Sequence, residues 1–177
     1  MKNRFSVFIC LLFLSLVACA PVRVNYDYER NTDFSKYKTY NYFQDLNIGM
    51  SELDANRFLD ALDAAMAAKG MMLSDSPDFL INVQSNAYNV GSQSSVGVGF
   101  GGSGRNMGGG ISVGIPVGQS TLNRQIQVDF VDPQGGGLFW QAISEDSFYQ
   151  DDAPEAKEAK FKTIATEILK GYPPTKK

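Results

Sequence analysis

The chain has 177 residues, 16 basic and 19 acidic, with a formal charge of -3 and no histidine. Without histidine there is no Ser-His-Asp triad, no Cys-His pair, no histidine zinc site and no HExxH helix. The mildly acidic balance gives no electrostatic footprint for nucleic acid and no basic patch for anionic lipid.

The first segment reads as an export signal. Lys2 and Arg4 precede an apolar run from Phe5 to Val17, broken only by Ser6 and Ser15. That is the charge-then-apolar order of a secretory signal peptide. The run is shorter than the roughly 20 residues a membrane-spanning helix needs. It ends in Leu16-Val17-Ala18-Cys19, which matches a lipobox. On this reading residues 1–18 are cleaved and the Cys19 thiol carries a diacylglyceryl thioether. Further acylation of its new amine makes the anchoring stable, since one chain holds only marginally. The plainer alternative is an ordinary signal that happens to end near a cysteine. Charge, run length and lipobox agree on the lipid. Ala20, in place of a retaining Asp, directs a Gram-negative lipoprotein to the outer membrane, with the periplasmic face as default. Only two cysteines exist. Cys10 leaves with the signal and Cys19 takes lipid, so no thiol remains for a disulfide, metal or catalysis. Losing Lys2 and Arg4 takes the charge from -3 to -5.

The remainder suits one domain over residues 23–172, preceded by a tether at 19–22 and followed by a frayed tail at 173–177. Val24, Tyr26 and Tyr28 alternate with polar residues, as in a half-buried strand. Asn31-Thr32-Asp33 is a turn, and Lys38 to Phe43 a second strand. Ser51 to Lys69 predicts a helix with Ser51 as N-cap, Asp54 in a capping-box position, and a stripe of Leu53, Leu59, Leu62, Ala65 and Met66. Gly70 supplies its stop. After a turn at Asp75–Asp78, Phe79, Ile81 and Val83 face one way and Leu80, Asn82 and Gln84 the other. Leu122 to Val131 repeats this, with Ile126, Val128 and Phe130 opposite Gln125, Gln127 and Asp129. Asp132 to Gly137 is a hairpin connection, and Leu138 to Ser144 the returning strand, carrying Trp140. Either Trp140 or Phe139 must face the core, and Trp140 is expected to be buried. A last helix starts at Asp152-Ala153-Pro154-Glu155, with Asp152 as cap. Its stripe includes Ala156, Ala159, Ile164, Ile168 and Leu169, and Gly171 with Pro173 and Pro174 ends it.

Residues 89–120 hold most of the glycines and a single charge, Arg105. Val96, Val98 and Phe100 alternate with glycine. Ile111, Val113, Ile115 and Val117 alternate with small residues. The pattern predicts two glycine-laced strands joined by a glycine tip. Their apolar face either packs on the domain or meets a partner by strand addition or self-association.

Several segments together resemble one family of bacterial lipoproteins, domain of unknown function 4136. They are Asp33 to Tyr40, Ala67 to Met71, Asp78 to Ile81, Thr121-Leu122 leading to Val128 to Asp132, and Leu138 to Ala142. The glycine-rich stretch before Thr121 is also typical. The family often has Trp at Tyr42 and Gly at Ala142. The resemblance implies an α+β fold, a curved and mainly antiparallel sheet of about 5–7 strands with two helices packed on one face. It brings no catalytic residue and no cofactor.

Other motifs read more plainly. Gly99 to Gly104 satisfies GxGxxG, but no helix follows as a dinucleotide site requires. Asp129 with Asp132, Glu145 with Asp146, or Asp151 with Asp152 offer carboxylates for acid–base work or calcium. Asp132 and Asp152 are better explained as turn and cap residues. Tyr26, Tyr28, Phe34, Tyr37, Tyr40, Tyr42 and Phe43 can stack on sugars, but their alternation favours packing under the helices. The expectation is a non-enzymatic, lipid-anchored envelope protein without a metal. It meets the membrane through Cys19 and an envelope partner, or itself, through Val96, Val98, Phe100, Ile111, Val113 and Ile115. A small-ligand or glycan-binding periplasmic module is the alternative.

Overall fold

A computed structural model describes residues 22–89, 95–98, 113–116, 122–148 and 151–175. The strands are β1 (Arg23–Tyr28), β2 (Thr39–Tyr42), β3 (Met72–Leu73), β4 (Phe79–Asn89), β5 (Ser95–Val98), β6 (Val113–Pro116), β7 (Leu122–Asp132) and β8 (Gly137–Phe148). The helices are α1 (Glu52–Ala68) and α2 (Pro154–Lys170). A short 3-10 turn at Phe34–Lys36 is capped by Asp33, whose side chain accepts the Ser35 amide. Six strands form an open sheet in the order β1-β8-β7-β4-β2-β3, while β5 and β6, among the described residues, pair only with each other. The sheet is mixed: β2 runs parallel to both β3 and β4, and the other pairs are antiparallel. The fold is therefore α+β. The parallel pairs arise because α1 lies between β2 and β3, a crossover that returns the chain in the same direction.

Both helices share one core with one face of the sheet. Phe79, Ile81 and Val83 of β4 and Ile126, Val128 and Phe130 of β7 are fully buried, as their alternation predicts. The helices differ in detail from their predicted stripes. On α1 the buried residues are Asp54, Phe58, Leu62 and Met66, spaced four apart, and Leu53 is 67% exposed. Asp54 in the same turn is buried, so Leu53 is exposed because it lies off the face that Asp54, Phe58, Leu62 and Met66 share. The Ser51 Oγ accepts the Asp54 amide, but the Asp54 carboxylate pairs with Arg57 rather than completing a capping box. On α2 the buried face is Phe161, Ile164, Ala165, Ile168 and Leu169, and Ala156 and Ala159 are exposed. Phe58 and Phe161 meet edge-on at 5.9 Å between centroids and join the two helices. The N-cap of α2 is Ala153 with no side-chain cap bond, so Asp152 does not cap it; Pro154 in the first turn sets the helix entry instead.

Gly70 and Gly171 are among the glycines that geometry requires. Gly70 follows α1 with φ +78°, the left-handed stop expected from sequence. Gly171 follows α2 with φ -82°, and a Cβ there would run into the Tyr26 ring. It is required for the close approach of β1, not for its backbone angle.

Trp140 and Phe139 are both buried, although neighbours in a regular strand alternate. A bulge explains this. Phe130 pairs with Trp140 and Val131 with Leu138, so Phe139 is the extra residue and both rings reach the core.

Candidate functional site

The helices cover one face of the sheet. Strand parity puts Asn41 of β2, Leu80, Asn82, Gln84 and Asn86 of β4, Asn123, Gln125, Gln127 and Asp129 of β7, and Gln141 and Glu145 of β8 on the other face. The result is a field of side-chain amides. Its centre is Asp129, 8% exposed, whose carboxylate accepts from Gln141 at 2.8 Å, Gln127 at 3.0 Å and Asn82 at 3.3 Å. No cation pairs with it among the described residues. Each amide nitrogen held this way fixes the plane of its side chain.

A groove of about 700 Å³ opens beside this field, lined by Asn41, Tyr42, Phe43, Gln44, Asp45, Asp75, Pro77, Leu80, Asn82 and Val131. Its walls are the loop after β2 and the loop before β4. Beneath it, the Tyr42 and Tyr40 hydroxyls both donate to Asp63 of α1, at 2.5 and 2.8 Å. Burial, and the bond each gives to Asp63, push both phenols far above their ordinary range, so they remain protonated donors. The loop before β4 is held by Asp78, whose carboxylate accepts the Lys38 and Thr39 amides, both at 2.8 Å. Those two bonds lower its pKa. A smaller cavity of about 280 Å³ lies between Asp27–Glu29 and Leu138–Gln141.

The carboxylate pairs considered from sequence are not brought together. Asp129 belongs to the amide field. Asp132 accepts the Gln134 amide, the Lys36 ammonium and the Tyr37 hydroxyl, and these hold its pKa down. It ties the β7–β8 turn to the 3-10 turn. Glu145 accepts from Tyr88 on the uncovered face, whereas Asp146 meets Lys160 of α2 at 2.7 Å on the helix side. Asp151 and Asp152 are exposed. Among the described residues, no three of His, Cys, Asp and Glu group as a metal site. No helix among them is long and apolar enough to cross a membrane.

The aromatic residues divide. Tyr37 and Tyr40 are core, and Phe34 packs against the core. Tyr26 and Tyr28 are 40% and 39% exposed yet meet the helix side. There the Tyr26 hydroxyl donates to the Glu167 carbonyl of α2 at 2.6 Å, and the Tyr28 ring meets Phe34 edge-on. Phe43, 37% exposed, departs from the expectation of packing under the helices. β1 is an edge strand at the margin of the helix layer, and Phe43 falls on the uncovered face.

In the glycine-rich segment, Val96 is opposite Ile115 and Val98 opposite Val113, with Gly97 opposite Gly114. The register therefore places these four β-branched residues at positions of one face. Phe100, Ile111, Val117, the GxGxxG stretch, the signal segment and Cys19 lie outside the described residues. Sequence reading missed the groove, although the runs Asn82-Gln84-Asn86 and Asn123-Gln125-Gln127 already marked an amide face.

An open mixed sheet with two helices on one face and a separate ribbon defines the class as α+β. The family model described as Domain of unknown function (DUF4136) matches residues 24–174, and the chain belongs to that family. A PDZ domain protein from Parabacteroides distasonis has a similar fold, with a TM-score of 0.55 and 13% identity over 89% of this chain. The chain spans only 37% of that protein. A DUF4136 family protein from Bacteroides thetaiotaomicron aligns at 16% identity and a TM-score of 0.47, covering 86% of this chain and 94% of its own. PelC from Paraburkholderia phytofirmans, solved as a dodecamer, aligns at 7% identity and a TM-score of 0.47, over 84% and 95%. No curated protein matches the sequence.

Proposed function

We propose that this protein is a non-enzymatic binding or assembly module, held by lipid on Cys19 at the periplasmic face of the outer membrane. Its contact with an envelope partner, or with a second copy, is the β5–β6 ribbon. The observation that carries this reading is that, among the described residues, the two ribbon strands pair only with each other, in a register that sets Val96 opposite Ile115 and Val98 opposite Val113. An isolated two-stranded ribbon is marginal in water and gains stability only against another surface. The glycines at Gly97 and Gly114 permit another backbone to come close. The acyl anchor and the lipobox supply the location.

Deleting Gly91 to Gly118 and closing the gap with a short turn tests this. The expected product keeps its fold, because β4 and β7 retain their direct pairing, and loses its crosslinks to a partner in intact cells. A folded deletion protein that keeps every crosslink overturns the assignment. A deletion protein that cannot fold overturns it as well, by making the segment core.

A further inference from the structure

The groove beside the amide field supports a second inference, independent of the ribbon. We infer that it binds a hydroxyl-rich glycan without acidic groups. Its volume of about 700 Å³ lies within the usual range for ligand sites, about 300–1,000 Å³. Three kinds of side chain meet there. Phe43, 37% exposed, gives a flat apolar ring against which the C–H face of a pyranose can stack. Asn41 and Asn82 are amides, and an amide both donates and accepts, as a sugar hydroxyl does. Asp45 and Asp75 are acceptors for pairs of neighbouring hydroxyls.

Charge narrows the occupant. Among the described residues no Lys or Arg lines the groove, and both ionisable side chains other than Tyr42 are acidic. An anionic polymer, a phosphate or a nucleic acid would meet repulsion and find no counter-charge. The amides are also set in place. Asn82 donates to Asp129, and Asn41 donates to the Ser74 carbonyl at 2.9 Å. A site already ordered loses less entropy on binding. A protein partner would call for a broad apolar centre, whereas the apolar floor here ends at Leu80 and Val131 and gives way to Asn82, Gln127 and Asp129.

The test is calorimetric titration of the purified full chain with hexasaccharides of N-acetylglucosamine, of β-linked glucose and of α-linked glucose. A galacturonate hexasaccharide serves as the anionic control. Amide NMR shifts locate the site. The expected result is saturable binding of at least one neutral hexasaccharide, no binding of galacturonate, and shifts centred on Phe43, Asp75 and Asn82. Phe43→Ala, at an exposed position, should weaken binding roughly tenfold with an unchanged fold. Should Phe43→Ala disturb the fold, the wild-type shift map decides alone. Failure of all three neutral chains, equal binding of galacturonate, shifts centred elsewhere, or full affinity in a folded Phe43→Ala protein each overturns the inference. Deleting the ribbon leaves every groove residue in place, so the two readings fail separately.

Discussion

Trp140→Ala is expected to cost about 3–5 kcal/mol of folding stability. The indole is fully buried. Its centroid lies 4.5 Å from Phe130 and 5.3 Å from Tyr172, and its Nε1–H donates to the Gly171 carbonyl at 3.2 Å. It therefore fastens β8 to the chain just beyond α2. Truncation removes one of the largest buried side chains and leaves a cavity among rings. Phe130 and Tyr172 cannot close that space without abandoning their own contacts with Phe79 and Phe34. The Gly171 carbonyl also loses its donor. Urea unfolding followed by far-ultraviolet circular dichroism reads the loss, since the chain's single tryptophan is gone. With a slope of about 1–3 kcal/mol per molar urea, the midpoint should fall by more than about 1 M. An unmoved midpoint, or a water-exposed emission spectrum from the folded wild type, contradicts the core described here.

Cys19→Ser is expected to abolish lipid attachment and leave the precursor with its signal uncut. The effect is all-or-none because the thioether needs a thiolate nucleophile, which a serine hydroxyl cannot replace at neutral pH. Membrane affinity follows from acyl burial at about 0.8 kcal/mol per methylene, and stable anchoring needs more than one chain. Metabolic labelling with palmitate and the size of the product read both steps. A variant that matures normally, or a wild type that takes up no label, rules out the anchor. Trp140 emission should not change, since Cys19 precedes the domain.

The sheet was legible where one face is buried and the other wet. Phe79-Ile81-Val83 and Ile126-Val128-Phe130 alternate because that boundary runs along each strand, and their polar neighbours carried the amide face in the same pattern. The hairpin at Asp132 and the stop at Gly70 were legible because turn geometry admits few residues. Less local features were not. The face of α1 turned out to hold Phe58, because the angle at which a helix meets a sheet is set by its partners, here Phe161. The same holds for the exposed Ala156 and Ala159. The parallel pairing of β2 with β4 depends on where α1 crosses, and no residue in β2 records that. Adjacent burial of Phe139 and Trp140 needs a bulge, which period-two reading cannot see. The groove joins the loops around Asp45 and Asp75 to β4 and β7, so no single window of sequence contains it.

The central claim is that the β5–β6 ribbon meets a partner. In intact cells, a photo-crosslinking residue in place of Val98 tests it most directly, with the same residue in place of exposed Lys162 on α2 as the reference. The account predicts a discrete adduct from position 98, of one partner or of a second copy of the chain, and only background from position 162. Background alone at position 98, with a discrete adduct from position 162, would contradict it.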